Sequence, residues 1–242
     1  MAVQKLSVEF IRTYELVLLV IAEKNLSTTK RAILDSAERL FASHGFEATS
    51  LRAITGAAEA NLGAVNYHFT SKDALILAVL KRRMQPLNHE RVALLDRFEK
   101  KASPEPASIE KILEALFRPA LELIARPSKG GRYVLRLIAQ CLAAPGAYLQ
   151  PLVEEEFAEK NRRFHEAIRR ALPSLSIAEA HWRLHFAHGV FLHTAAQSQI
   201  LELSSGGACR CTDVENTLRR IIAFCAAGMR APEADFAPKK NK

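Results

Sequence analysis

Residues 49–72 read TSLRAITGAAEANLGAVNYHFTSK, and this stretch decides the fold. It has the pattern of two short helices joined by a tight connection. Thr49 and Ser50 supply short side-chain oxygens that can take up the backbone N–H groups an opening helix leaves unbonded. The first helix extends to about Ala58, a turn follows at 59–61, and a second helix covers 62–69. Ile54, Ala57, Leu62, Val65 and Phe69 are placed to pin the pair against a preceding helix through Leu40 and Phe41. The second helix of such a pair projects its N-terminal side into the DNA major groove.

Outward from this pair almost everything predicts helix. Upstream, Ile33, Ala37, Leu40 and Phe41 recur at helical spacing from Thr29, and Gly45 ends the segment as a C′ glycine does. Downstream, Ser71 caps a long fourth helix reaching about Lys100, with a kink expected near Pro86. The run Ala102-Ser103-Pro104-Glu105-Pro106 is the clearest loop. Further helices are expected at about 108–125, 132–143, 147–171, 177–203 and 213–229. No run alternates well enough to make a strand, and no internal repeat appears. The fold class is all-α: an N-terminal three-helix helix-turn-helix domain followed by a larger helical domain. The expected boundaries are 1–27 for an N-terminal extension, 28–75 for the helix-turn-helix domain, 76–231 for the larger domain and 232–242 for a flexible tail.

The bulk composition limits the function classes. With 49% apolar and 25% charged residues among 242, the chain can bury a core without staples. Its net charge of +8 suits a phosphate-bearing partner, but the excess is spread along the chain and does not by itself locate the contact. Cys141, Cys209, Cys211 and Cys225 are too few and too irregular for a disulfide framework. They read as free thiols in a reducing cytoplasm, with a redox role for Cys209 and Cys211 as the other reading. Residues 1–27 lack both the length of apolar run needed to span a bilayer and the layout of an export signal. They read as an extra arm or a start codon assigned too early, and no membrane partner is expected. No G-x-S-x-G elbow, P-loop or H-E-x-x-H is present, so an enzyme is not expected, nor is a cofactor. His181, His185 and His188 share one helical face at a spacing a metal would accept, the alternative being imidazoles bonded to their neighbours; no metal is assigned.

Residues 30–80, with LFASHGFEATS, then LRAIT, then a helix ending in NYHF, then SKDAL, resemble the DNA-binding domain of the TetR family of bacterial transcriptional regulators. The resemblance implies a homodimer on a palindromic double-stranded DNA operator, located in the bacterial cytoplasm. It implies phosphate contacts from Thr49, Ser50, Tyr67, His68 and Lys72, which position the protein without reading sequence. Base reading then falls to Arg52, Leu62, Gly63, Ala64 and Asn66; Arg52 can donate twice to a guanine and Asn66 can pair with an adenine edge.

The same resemblance implies that the larger domain dimerises through its last two long helices, with Phe186, Val190, Phe191, Ile221 and Phe224 as interface residues. It also implies a small hydrophobic effector, held by a pocket drawn from Leu116, Phe117, Leu121, Leu135, Ile138, Leu142, Phe157, Phe164 and Trp182. Runs at 132–142, 151–157, 164–173 and 182–189 loosely resemble a subgroup that includes regulators of fatty-acid and lipid metabolism, which makes a fatty acid or acyl-CoA the candidate ligand. The leading reading is a repressor that its effector releases from DNA. The alternatives are a lipid- or acyl-CoA-binding protein with little DNA affinity, and a DNA binder independent of any effector.

Overall fold

The computed structural model describes residues 28–126, 131–143, 145–211 and 213–233, with the backbone alone at 132, 142 and 143. The readings made for 1–27, for the end of the tail from 234 and for the Leu142 side chain lie outside these residues. In chain order the helices are α1 (Thr28–His44), α2 (Leu51–Ala57), α3 (Leu62–His68), α4 (Lys72–Ala102), α5 (Ile109–Ile124), α6 (Gly131–Ala143), α7 (Leu149–Pro151), α8 (Ala158–Ala171), α9 (Ile177–Ala196), α10 (Ser198–Ser204) and α11 (Val214–Arg230). A π-helical stretch, Leu152–Phe157, connects α7 to α8. The described residues contain helices and no strand, as the sequence predicts.

The chain forms two compact units. The described part of the first comprises residues 28–86 and 136–152, and of the second 87–135 and 153–233. In the first unit, α1 buries Ile33, Ala37 and Phe41 one turn apart, and α2 and α3 pack on it through Ile54 and Val65. Phe46 stands edge-on to Phe41 at 5.3 Å and to Tyr148 at 5.4 Å. Each such side chain contributes about 1.5–3 kcal/mol by leaving water. Arg82 pairs with Asp35, and Arg83 with the buried Glu38, at 2.6 Å in both cases, which ties α4 to α1.

Gly45 takes φ +86° and its N–H bonds the Phe41 carbonyl at 2.8 Å, so α1 ends where the sequence predicts. Ser71 accepts from the Ala74 N–H at 3.0 Å and starts α4, which runs through Pro86.

In the second unit α5 packs on α11 and α8, and α9 packs on α11 and α8. The shared core is Leu113, Leu116 and Phe117 of α5, Phe164 and Ile168 of α8, Leu184 and Phe191 of α9, and Leu218 and Ile221 of α11. Arg118 grips Glu215 with two bonds of 2.8 and 3.2 Å. Arg183 closes the far end of α11, donating to the Met229 and Ala231 carbonyls at 2.9 and 2.7 Å.

Two expected helices are interrupted. The segment at 147–171 divides into α7, the π-helical stretch and α8, and that at 177–203 breaks at Gln197 into α9 and α10.

Candidate functional site

The α2–α3 pair is built by side chains that spend their polar atoms on the backbone. Ser50 caps α2 by accepting from the Ala53 N–H at 3.1 Å, and Asn61 caps α3 by accepting from the Ala64 N–H at 2.7 Å. Between them Ala60 N–H bonds the Thr55 carbonyl at 3.0 Å, and Glu59 adopts φ +51°, a left-handed conformation that a glycine or asparagine would take more easily.

Thr49, expected at a phosphate, is buried instead. Its hydroxyl donates to the Gly45 carbonyl at 2.7 Å and lies 3.3 Å from the Leu40 carbonyl. Both are acceptors at the end of α1, where carbonyls lose their helical partners, so Thr49 locks α1 to α2 and leaves Ser50 as the cap.

The other expected DNA-facing residues sit at or near the surface of this pair. Arg52, Leu62, Gly63 and Asn66 are exposed and Ala64 is half-buried. Among the described residues the Arg52 guanidinium and the Asn66 amide have no hydrogen-bonding partner. Tyr67 is 86% exposed, its ring 5.0 Å from that of the half-buried His68. Lys72 is half-buried, and its ammonium donates to the Glu47 carbonyl at 3.1 Å, across the junction between the end of α1 and the start of α4. At Gly63 a Cβ would lie 3.2 Å from the Asn61 carboxamide oxygen, so the small residue leaves room for the α3 cap.

The residues expected to form the dimer interface fall into two groups. Phe186 is 59% and Phe224 70% exposed, whereas Phe191 and Ile221 face inward. Phe191 stacks on Phe117 at 5.0 Å with the rings nearly parallel, which makes it part of the core of one chain; Val190 is half-buried. Trp182, expected in the pocket, is 57% exposed and stacks on Phe186 at 5.6 Å. On α9 the two rings are four residues apart, one turn, and so form a single outward stripe.

Of the other expected pocket residues, Leu116, Phe117, Leu121 and Phe164 are buried, while Phe157 and Leu135 are half-buried, all in the second unit. Ile138, also half-buried, belongs to the first unit.

The second unit also holds a cationic cluster. Lys160 and Arg91 are only 7% and 8% exposed. Arg91 donates from Nε to the Leu116 carbonyl at 2.8 Å and from Nη1 to the Asn88 carboxamide oxygen at 3.1 Å; Asn88 in turn donates to the Glu156 carbonyl at 2.9 Å. The Lys160 ammonium lies 5.1 Å from the centre of the Phe157 ring. Burial, aided by the positive charge of Arg91, lowers the Lys160 pKa from 10.5 to about 7. Burial and the neighbouring Lys160 lower His188 to about 3, so the imidazole is neutral; its Nδ1 lies 2.8 Å from the Leu184 carbonyl, to which it donates. His181 and His185 are exposed.

Phe157 and His188 are among the residues the sequence singles out, and His188 bonds its neighbour Leu184; Lys160 and Arg91 are not among them. The available signal was spacing: Lys160 stands four residues before Phe164, on the buried face of α8. Among the described residues no helix is long and apolar enough to cross a membrane.

Comparison with known proteins agrees with this architecture. Residues 33–79 match the family model of bacterial regulatory proteins of the tetR family, and residues 114–228 match that of the tetracyclin repressor-like C-terminal domain. The HTH-type transcriptional repressor Rv1474c of Mycobacterium tuberculosis is 36% identical over 61 residues, 25% of this chain and 33% of that protein. The chain thus spans about a third of the length of the curated relatives it matches. A protein of Pseudomonas aeruginosa assigned as a transcriptional regulator superposes over 85% of this chain and 91% of its own, with a TM-score of 0.59 and 14% identity. A Clostridium perfringens protein assigned as a fatty acid metabolism regulator does so over 81% and 97%, with a TM-score of 0.56 and 18% identity. At these identities the likeness is one of fold. With both of its parts matched by models of one family, the chain belongs to the tetR family of bacterial regulatory proteins.

Proposed function

We propose that the chain is a dimeric transcriptional repressor of the bacterial cytoplasm that a small hydrophobic effector releases from a palindromic operator. The observation that carries the reading is the outer face of α2 and α3. Arg52, Leu62 and Asn66 are exposed there on a scaffold whose capping groups are already satisfied, and Tyr67 stands almost wholly in solvent. On this reading Arg52 and Asn66 read base edges, Leu62, Gly63 and Ala64 line the groove, and Ser50, Tyr67, His68 and Lys72 hold phosphates. The curated relatives are themselves repressors, which supports the direction of control.

Dimerisation rests on the outward stripe of Trp182 and Phe186 on α9 together with Phe224 on α11. Gly189 and Gly228 support it, because a Cβ on either would meet nothing within 4 Å, so the helix surface is open to a close-approaching partner. Two-fold pairing presents two α3 helices to half-sites about one DNA turn apart. The effector belongs to the second unit, near Phe117, Phe157 and Phe164, and a fatty acid or acyl-CoA is the first choice; the fold shared with the Clostridium protein agrees with that choice. Release requires the effector to favour one of two conformations over the other.

The test is fluorescence anisotropy of the purified chain on the intergenic DNA upstream of its own gene, with and without long-chain acyl-CoA. Salt-dependent, sequence-selective binding that the ligand relieves is the expected result. Binding that ignores every acyl ligand would remove the effector part of the reading. Binding with no sequence preference would remove the repressor.

A further inference from the structure

The Lys160 ammonium of the second unit has no counter-ion among the described residues. Among the described residues no carboxylate, carbonyl or hydroxyl accepts from the Lys160 ammonium, which faces the Phe157 ring at 5.1 Å. An unpaired buried charge is among the costliest groups a fold can hold, and interiors ordinarily pair such charges or keep them out.

Its surroundings are ordered and not accidental gaps. The Arg91 guanidinium is fixed from two sides by Leu116 and Asn88, and Asn88 is anchored to the Glu156 carbonyl of the π-helical stretch. Those bonds use Nε and Nη1 and leave Nη2 without a partner among the described residues. Of the nearby acids, Glu90 acts on Arg91 from an exposed position, and Asp96 and Glu99 are engaged by Arg163. Beyond the two cations the setting turns aromatic. Phe157 faces Lys160, His188 meets the edge of Phe117 at 5.9 Å, and Phe164 is buried one turn along α8 from Lys160. A π-helical turn of this kind is a frequent mark of a functional site.

We propose that Lys160 and Arg91 are the receptor for the carboxylate head of an otherwise apolar effector. A carboxylate meets both needs at once: two oxygens to accept from Lys160 Nζ and Arg91 Nη2, and one negative charge to complete the buried cluster. The apolar body then lies along the aromatic side chains. This rests on the reading that the second unit binds the effector, and it narrows the ligand class to amphipathic acids over neutral lipids and esters.

The test is calorimetric titration of the full-length chain, free of DNA, with decanoate and with decan-1-ol, which share a chain and differ in the head. Decanoate is expected to bind at least tenfold more tightly. Lys160→Met should cost decanoate at least tenfold while leaving decan-1-ol within twofold, and Lys160→Arg should keep part of the preference. Circular dichroism and thermal unfolding of both variants verify that they are folded. Equal affinities for acid and alcohol, a preference that survives in Lys160→Met, or binding of neither probe would overturn the proposal. Because no DNA is present, these outcomes are separate from those that judge the repressor. Decan-1-ol releasing operator DNA as well as decanoate does would keep the effector reading and remove the carboxylate receptor.

Discussion

Replacing Lys160 by Met should stabilise the ligand-free chain, by an amount that depends on pH in a defined direction. In the unfolded chain the ammonium titrates at its ordinary 10.5, whereas in the fold burial beside Arg91 lowers it to about 7. Between those values the unfolded state binds a proton that the folded state does not, so wild-type stability climbs as pH rises through the window and sits at its lowest below pH 7. At ~1.4 kcal/mol per pH unit, the deficit relative to high pH is about 4 kcal/mol at pH 7 and falls to about 1 kcal/mol at pH 9.5.

Methionine has comparable reach and no charge, so the variant should escape this deficit. Urea unfolding of both proteins at pH 7.0, 8.0 and 9.5 would show a gain that shrinks steadily with pH. His188, whose window lies between about 3 and 6.5, does not titrate there. The raised thiols of Cys141 and Cys225, each pushed to about 11 by burial, affect both proteins alike and cancel in the difference. A gain that does not change with pH, or a variant less stable than wild type at pH 7, would refute the account of Lys160 as a buried, unpaired cation.

Three further outcomes are expected. Thr49→Val removes the donor that satisfies the Gly45 carbonyl and should cost about 1–3 kcal/mol of unfolding free energy in denaturant titration, with little change in DNA affinity relative to the folded fraction. Arg52→Ala should relax the operator preference at one base pair at a cost of about 1–3 kcal/mol, whereas Lys72→Ala should weaken all sequences alike and reduce the salt slope by about one, both read by anisotropy across a salt series. Phe224→Glu places a charge on the outward stripe and should shift sedimentation towards a single chain while far-ultraviolet circular dichroism stays the same; an unchanged sedimentation coefficient would move the interface elsewhere.

The fold was largely legible because the signals that set it are local. Ser71 and Gly45 mark the ends of their helices through backbone chemistry that any reader of the sequence can apply. The misreadings share a different cause. Thr49 and Ser50 are chemically equivalent candidates for one cap, and the choice between them depends on the Gly45 carbonyl, which comes close only after α1 is in place. Nothing in the run Ala195-Ala196-Gln197-Ser198 marks a break, yet the helix ends at Gln197. The π-helical stretch keeps the composition of a helix and changes only its pitch, with four residues between the buried Leu152 and the half-buried Phe157.

Phe191 and Ile221, expected at the dimer interface, are of residue types that fit either a core or an interface on a long helix; in the fold Phe191 stacks on Phe117 and Ile221 is buried within the chain. Lys160 was hidden by its company. Arg162, Arg163, Arg169 and Arg170 give α8 the look of a solvated basic helix, and the position of one lysine on the Phe164 face carries little weight against that.

The Trp182–Phe186 stack has a practical consequence. The chain contains one tryptophan, so its intrinsic emission comes from a single indole, held more than half in water on the outer side of α9. Anything that covers this side of the helix strips solvent from that ring and moves its emission to shorter wavelength. The unmodified protein therefore carries its own optical gauge of association, one that follows dilution or partner exchange without a dye, a tag or an engineered residue.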